Sequence, residues 1–156
     1  MTLDHRPLKH LLGYSLVRAS LHTDKVFHEN LGGPLQLRQV EFTILSLVDA
    51  NEDVTAKKLS DALSISAPNM SVMLDRLETR GLLKRVPHGT DKRASLLQLT
   101  SKGRALLARA ARVAERMEEQ VLARLTQGEL AILMELLEKV AAGPQAGVKE
   151  APDATR

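Results

Sequence analysis

Apolar residues recur at helical spacing along most of this chain, and the places where the recurrence stops divide it into segments. Leu12, Leu16, Ala19, Val26 and Phe27 follow one side of a helix predicted from Lys9 to about Leu31, which Gly32-Gly33-Pro34 is expected to end. The run LRQVEFTILSLVDA puts Val40, Ile44, Leu45 and Val48 on one side of a second helix, broken by Asn51-Glu52-Asp53. Thr55 then has the side chain of an N-cap for a short third helix, AKKLSDALS.

In the next segment, ISAPNMSVMLDRLETRG, Ser66 is the expected N-cap and Gly81 the expected residue just past the helix end. Pro68 fits the first turn, where its missing N–H would be unpaired anyway. Met70, Met73, Leu74 and Leu77 obey the i, i+3, i+4, i+7 rule and mark the buried stripe. A step of about 100° per residue puts Pro68, Val72, Asp75 and Thr79 on the opposite face, with Asn69 and Arg76 flanking.

The runs LLKRV and ASLLQLT, each of short-strand length, bracket a turn that carries Gly89, Asp91, Lys92 and Arg93. Thr100 starts a helix expected to reach about Leu125. Thr126 and Glu129 then form a T-x-x-E capping box for a last helix, ELAILMELLEKVAA. The tail GPQAGVKEAPDATR is small, polar and Pro-containing, and is predicted to be disordered. The order is therefore helix, helix, helix–turn–helix, hairpin, helix, helix. A hairpin directly after the second helix of a helix–turn–helix is a wing, so the fold class is mainly α with a small β-hairpin wing.

Composition narrows the function classes. Aromatics make up only 2% of residues, and Leu and Ala dominate an apolar share of 44%, which favours helix over a β-sandwich. With no cysteine, the chain has no disulfide, thiolate metal site, cysteine nucleophile or thiol switch. The start MTLDHRPLKHLLGYS carries charge and Pro7 where a signal peptide needs an apolar centre, and no run approaches the roughly 18 apolar residues of a membrane span. A cytoplasmic location, away from membranes, is expected. Gly-rich phosphate loops, nucleophile elbows and metalloprotease motifs are missing from the sequence, so no enzyme class is indicated and no cofactor is expected. His5, His10, His22, His28 and His88 are too scattered for a familiar ligand spacing, and no metal is expected.

Charge is uneven. From Arg76 to Arg104 eight cations stand against Glu78 and Asp91, a local net of +6 in a chain whose total is +3. Such a segment suggests a footprint for an anionic partner.

The wing and its exit, DKRASLLQLTSKG, match the D-x-R-x-x-x-x-x-L-T-x-x-G pattern of the MarR family of bacterial transcription regulators at Asp91, Arg93, Leu99, Thr100 and Gly103. Upstream, SAPNMSVMLDRLETRGLLKR is similar to that family's recognition helix, its D-R-L-E-x-R-G exit and its first wing strand. The resemblance runs from about Leu8 to Ala142. Where the family often carries L-T-x-x-Q, this chain has Leu37, Arg38 and Glu41, which leaves the usual capping of the second helix open.

The resemblance implies a two-fold symmetric homodimer whose winged lobes project onto double-stranded DNA. It implies a helical dimerisation region over 1–35 and 100–142, and a winged helix–turn–helix over 36–99, followed by the tail at 143–156. The terminal helices, rich in Leu and Ala, agree with this: a partner's helices would complete their burial. Two recognition helices about 34–36 Å apart would read a pseudo-palindromic operator. Repression, relieved by a small-molecule effector, follows from the resemblance alone.

Candidate DNA contacts are Ser66, Pro68, Asn69, Ser71, Val72 and Arg76 on the recognition helix, with Lys92 and Arg93 on the wing. Asn can pair bidentately with adenine, and Arg with guanine or a phosphate. A groove-facing Val72 would meet a thymine methyl; the alternative is a lone exposed apolar side chain. Arg93 suits a narrow minor groove, with Asp91 orienting it by a charge-assisted hydrogen bond. His10, Tyr14 and Arg18 fall at i, i+4, i+8 and offer a donor, an aromatic wall and a cation to a small aromatic acid. A polar flank at the dimer seam would show the same spacing. The competing class is a winged-helix module that binds a protein partner, or DNA without sequence preference, and answers no ligand.

Overall fold

The computed structural model describes residues 3–87 and 95–143. The chain divides into two units, Met1–Glu118 and Glu119–Arg156. The first opens with a 3-10 turn at Arg6–Leu8 and continues as α1 (Leu12–Phe27), a π-helical turn (His28–Gly32) and α2 (Gly33–Leu35). Then come α3 (Gln39–Ala50), α4 (Ala56–Leu63), α5 (Ala67–Thr79), β1 (Leu83–Pro87), β2 (Ser95–Leu99) and α6 (Ser101–Met117). The second unit contains α7 (Glu119–Leu122) and α8 (Gln127–Ala141).

Two boundaries differ from the sequence expectation. Gly32-Gly33-Pro34 does not end the first helix. The π turn skips one hydrogen bond where Pro34 has no N–H to give, and the helical path runs on to Leu35. The stop is Gln36, left-handed at φ +49°, with Leu37 N–H donating back to Gly32 O at 3.0 Å. The helix begun by Thr100 ends at Met117 rather than Leu125, because Glu118 sits at φ −94°, ψ −2° and opens the hydrogen-bond ladder.

The core of the first unit lies where α3, α4, α5 and the hairpin meet. Ile44, Leu45, Leu59, Met70, Leu74, Leu77 and Leu99 are closed off from solvent there. Each such side chain contributes about 1.5–3 kcal/mol by leaving water. The α5 stripe read from periodicity is the one buried, with Met73 half-buried at its edge. A second cluster, Phe27, Leu31 and Ala110, joins the first helix to α6, and Phe42 of α3 brings its ring within 6.0 Å of Phe27.

β1 and β2 pair antiparallel, Leu83 opposite Leu99 and Pro87 opposite Ser95. Leu97 N–H also donates to Val54 O at 2.8 Å, which ties the hairpin to the loop before α4. Caps then set the angles between elements. Thr55 Oγ1 accepts from Lys58 N–H at 3.2 Å, and Thr100 Oγ1 from Gly103 N–H at 3.0 Å. Gly81 takes φ +68° so that Leu82 N–H reaches Leu77 O at 2.9 Å and closes α5.

In the second unit, Thr126 and Glu129 form the expected box. Glu129 N–H donates to Thr126 Oγ1 at 3.2 Å, and Thr126 N–H to Glu129 Oε2 at 2.8 Å. The Thr126 N–H, and after it the Thr126 hydroxyl donating to the same oxygen at 2.9 Å, hold the Glu129 carboxyl below its ordinary pKa.

Candidate nucleic-acid interface

α4 and α5 form the helix–turn–helix. Ser64 ends α4 in the left-handed region at φ +52°, and Ile65 N–H returns to Ser60 O at 3.0 Å. This reversal is short enough to start α5 at Ala67. Ser66 occupies its N-cap position with φ −60° and ψ 145°, yet its hydroxyl makes no capping bond, contrary to the expectation of a side-chain cap. The reason is local: Pro68 in the first turn removes one of the donors a cap would satisfy.

Ser66, Pro68, Asn69, Ser71 and Val72 are all exposed on one continuous face, Val72 at 68%. The structure therefore brings together five of the six candidates on this helix, three of them polar (Ser66, Asn69 and Ser71) and two apolar (Pro68 and Val72).

Arg76, the sixth, is different. Its Nε lies 3.2 Å from Glu41 Oε1, and its side chain is 45% exposed. Glu41 is 1% exposed and, among the described residues, the one buried charged side chain. Its other oxygen, Oε2, is 3.2 Å from Arg80 Nη1 and accepts the Arg38 N–H at 2.9 Å. That last bond answers the capping question at the start of α3. Glu41 covers the N-cap donor from position N3, while an Arg38 guanidinium has no acceptor for the reciprocal bond.

A second ion-paired set fixes the wing. Arg85 of β1 reaches Asp75 Oδ1 at 2.8 Å and Glu78 Oε2 at 2.7 Å, and its N–H donates to Glu78 Oε1 at 3.1 Å. Lys102 Nζ donates to Arg80 O at 2.8 Å. Four cations of the +6 segment, Arg76, Arg80, Arg85 and Lys102, thus have partners inside the protein. Glu41 and Arg85 went unnoticed as positioning residues in the sequence. Only the N3 spacing of Glu41 from Arg38 hinted at the former.

Asp91, Lys92, Arg93 and His88 lie outside the described residues. On α1, the expected helical trio is not one face, because the helix starts at Leu12 and His10 sits in the turn before it. Arg18 and His10 are exposed, and the Tyr14 hydroxyl pairs with His5 Nδ1 instead. Two cavities flank Gln36 at the end of α2. One is lined by Phe27, His28, Arg38 and Arg76, the other by Arg80, Lys102 and Arg109.

Residues 35–94 match the MarR family, and over 130 residues the chain is 30% identical to the multiple antibiotic resistance protein MarR of Escherichia coli, covering 83% of this chain and 90% of that one. The chain belongs to the MarR family. Among solved structures it is similar to the transcriptional repressor CouR bound to a 23-mer DNA duplex, with 37% identity, a TM-score of 0.81, and 90% and 99% of the two chains covered. CouR bound to p-coumaroyl-CoA gives 35% identity and a TM-score of 0.79 over 92% and 99%.

The MarR-family exit pattern has a physical reason here. A Cβ at Gly103 would run into the Leu82 carbonyl, so only glycine lets α6 pass that close to the end of α5. Thr100 N–H donates to the same carbonyl at 3.1 Å, and its hydroxyl to Gly81 O at 2.6 Å. Together they hold the second wing strand against the recognition helix.

Proposed function

We propose that this MarR-family chain is a homodimeric, DNA-binding transcriptional repressor that reads a pseudo-palindromic operator and is released by a small organic effector. The observation that carries the reading is the exposed face Ser66–Val72, presented by a helix–turn–helix in a chain similar along its length to CouR, which was solved on a DNA duplex. Asn69 is assigned a base edge, Val72 a thymine methyl, and Ser66 and Ser71 polar or phosphate contacts around Pro68. Arg76 contributes a cation whose direction Glu41 sets. Lys92 and Arg93 are assigned the flanking groove, with Asp91 orienting Arg93.

Residues 1–35 and 100–142 are assigned to dimerisation, and 36–99 to DNA. Exposed apolar side chains support that division: Leu12, Val17 and Leu21 on α1, and Ile132, Met134 and Leu136 on α8. A second copy would remove such surface from water. Among the described residues no helix is long and apolar enough to cross a membrane, and a DNA-binding role assigns the chain to the cytoplasm.

The effector is an aromatic acid or its thioester, the class to which p-coumaroyl-CoA, found on CouR, belongs. No reaction is assigned to the chain, whose relatives regulate transcription. A chain without cysteine answers by ligand binding rather than by thiol oxidation.

Selection of bound fragments from genomic DNA tests the proposal. Recovery of one pseudo-palindrome, bound more weakly as salt rises, is the expected result. Equal recovery of unrelated fragments would favour a module without sequence preference.

A further inference from the structure

Arg76 follows Val72 by four positions and Asn69 by seven, so it extends the exposed face of α5 by one more turn. An arginine free to swing at that place would meet a phosphate of any duplex laid against Ser66–Val72, whatever the sequence. Arg76 is held instead, with its Nε 3.2 Å from Glu41 Oε1. The neighbouring carboxylates of α5, Asp75 and Glu78, are engaged by Arg85.

Glu41 cannot follow Arg76 outward. It is buried, and its Oε2 is committed to Arg80 Nη1 at 3.2 Å and to the Arg38 N–H at 2.9 Å. To swing toward a phosphate, Arg76 has to give up a charge-assisted hydrogen bond. The carboxylate beside it also offsets part of the positive potential that this end of the face offers to any anion.

We infer that Glu41 is a specificity-determining residue for DNA. By restraining Arg76 it suppresses binding that ignores sequence, and leaves discrimination to Ser66–Val72. Glu41 touches no DNA and acts as a positioning residue through Arg76. The effect on DNA rests on the operator-binding reading above, whereas the restraint on Arg76 rests on the ion pairs alone.

The test uses the full-length protein and the Glu41→Gln variant. A Gln oxygen can still accept the Arg38 N–H, so the cap of α3 is kept while the charge that holds the arginines is removed. Circular dichroism checks the fold. Affinity for a duplex of scrambled sequence, followed by fluorescence anisotropy, should rise several-fold. The slope of log affinity against log salt should steepen by about 1, because one more phosphate is neutralised. Affinity for the recovered operator, where Arg76 already has its place, should change less, so the ratio of the two affinities falls.

In an Arg76→Gln background the same Glu41 substitution should produce neither change. Arg76→Gln alone keeps the Glu41–Arg80 pair, and should flatten the scrambled-duplex slope by well under about 1. Without DNA, the Arg76 Nε–H should give the heteronuclear Overhauser effect of a rigid group in the wild type and of a mobile one in Glu41→Gln.

An unchanged slope in folded Glu41→Gln, or a gain that persists without Arg76, overturns the role of Glu41. If Glu41→Gln does not fold, Arg76→Gln alone decides: flattening by a full phosphate-equivalent means that Arg76 was never restrained. A mobile Arg76 Nε–H in the wild type says the same. A wild type that binds scrambled and genomic duplexes alike contradicts the regulator reading, and the Arg76 resonance still decides whether Glu41 holds it.

Discussion

The two halves of α5 are built for different work. Its first half, from the Ser66 N-cap to Val72, presents exposed side chains, and even the Ser66 hydroxyl makes no capping bond. Its second half is tied on two sides: Arg76, with Arg80 just past the helix end, to Glu41 of α3, and Asp75 and Glu78 to Arg85 of β1. Beneath both halves run the same buried residues, Met70, Leu74 and Leu77. One half is left open to meet a partner, and the other fixes how that face is offered. A cation on a recognition helix is therefore not automatically a DNA contact, and its intramolecular partner has to be found before it is counted.

Substitutions on either side of the divide can break this comparison. The largest effect is expected from Glu41→Ala, which strands the ends of two arginines and uncovers the Arg38 N–H. Urea unfolding should show a loss of about 3 kcal/mol. A loss near zero would mean the buried carboxylate does not tie α5 to α3.

Asn69→Ala should do the opposite. Its stability should stay within about 0.5 kcal/mol of wild type, while discrimination at one operator position falls by about 1–3 kcal/mol in competition binding. A uniform loss over all sequences would instead assign Asn69 to the phosphate backbone.

Arg85→Ala removes the wing clamp. Both ends of that pair set are partly exposed, so solvent screening limits the cost to about 1 kcal/mol in the same unfolding assay. Its effect on operator affinity should be similar for all sequences, because it tilts the wing without touching a base.

The smallest effect belongs to Glu129, which caps α8 from N3 as Glu41 caps α3, but exposed and without arginines. Its depressed pKa means the cap is intact above the ordinary carboxylate range and is lost as pH falls through the lowered value. A pH titration by nuclear magnetic resonance should show the Thr126 amide shifting with Glu129, below the pH at which free glutamates titrate. The same amide in Glu129→Gln should not follow that titration. The cap alone can then be set against the cap-plus-arginines at Glu41.

What the sequence made legible was mostly local. Thr55, Thr100, Gly81 and the Thr126–Glu129 box are each recognised from residues within a few positions, and each has the geometry its side chain dictates. The face of α5 follows from periodicity, and Val72 stands outward as the 100° step requires. The path through Gly32-Gly33-Pro34 was not legible, because a π turn leaves no periodic signature in five residues. Nor was the Glu41–Arg80 pair, whose members are 39 positions apart. The net +6 of the Arg76–Arg104 segment overstates the charge offered to a partner. It leaves out Glu41 and Asp75, which lie outside the segment but pair with cations inside it.

The central claim is that the open half of α5 reads base sequence while the tied half only positions it. The most direct test is the affinity of wild type, Asn69→Ala and Arg85→Ala for the recovered operator and for every single-base variant of it, at fixed salt. The account predicts that Asn69→Ala flattens the preference at one position in each half-site, and that Arg85→Ala lowers all affinities together with the preference profile unchanged. A profile altered by Arg85→Ala and untouched by Asn69→Ala would contradict it.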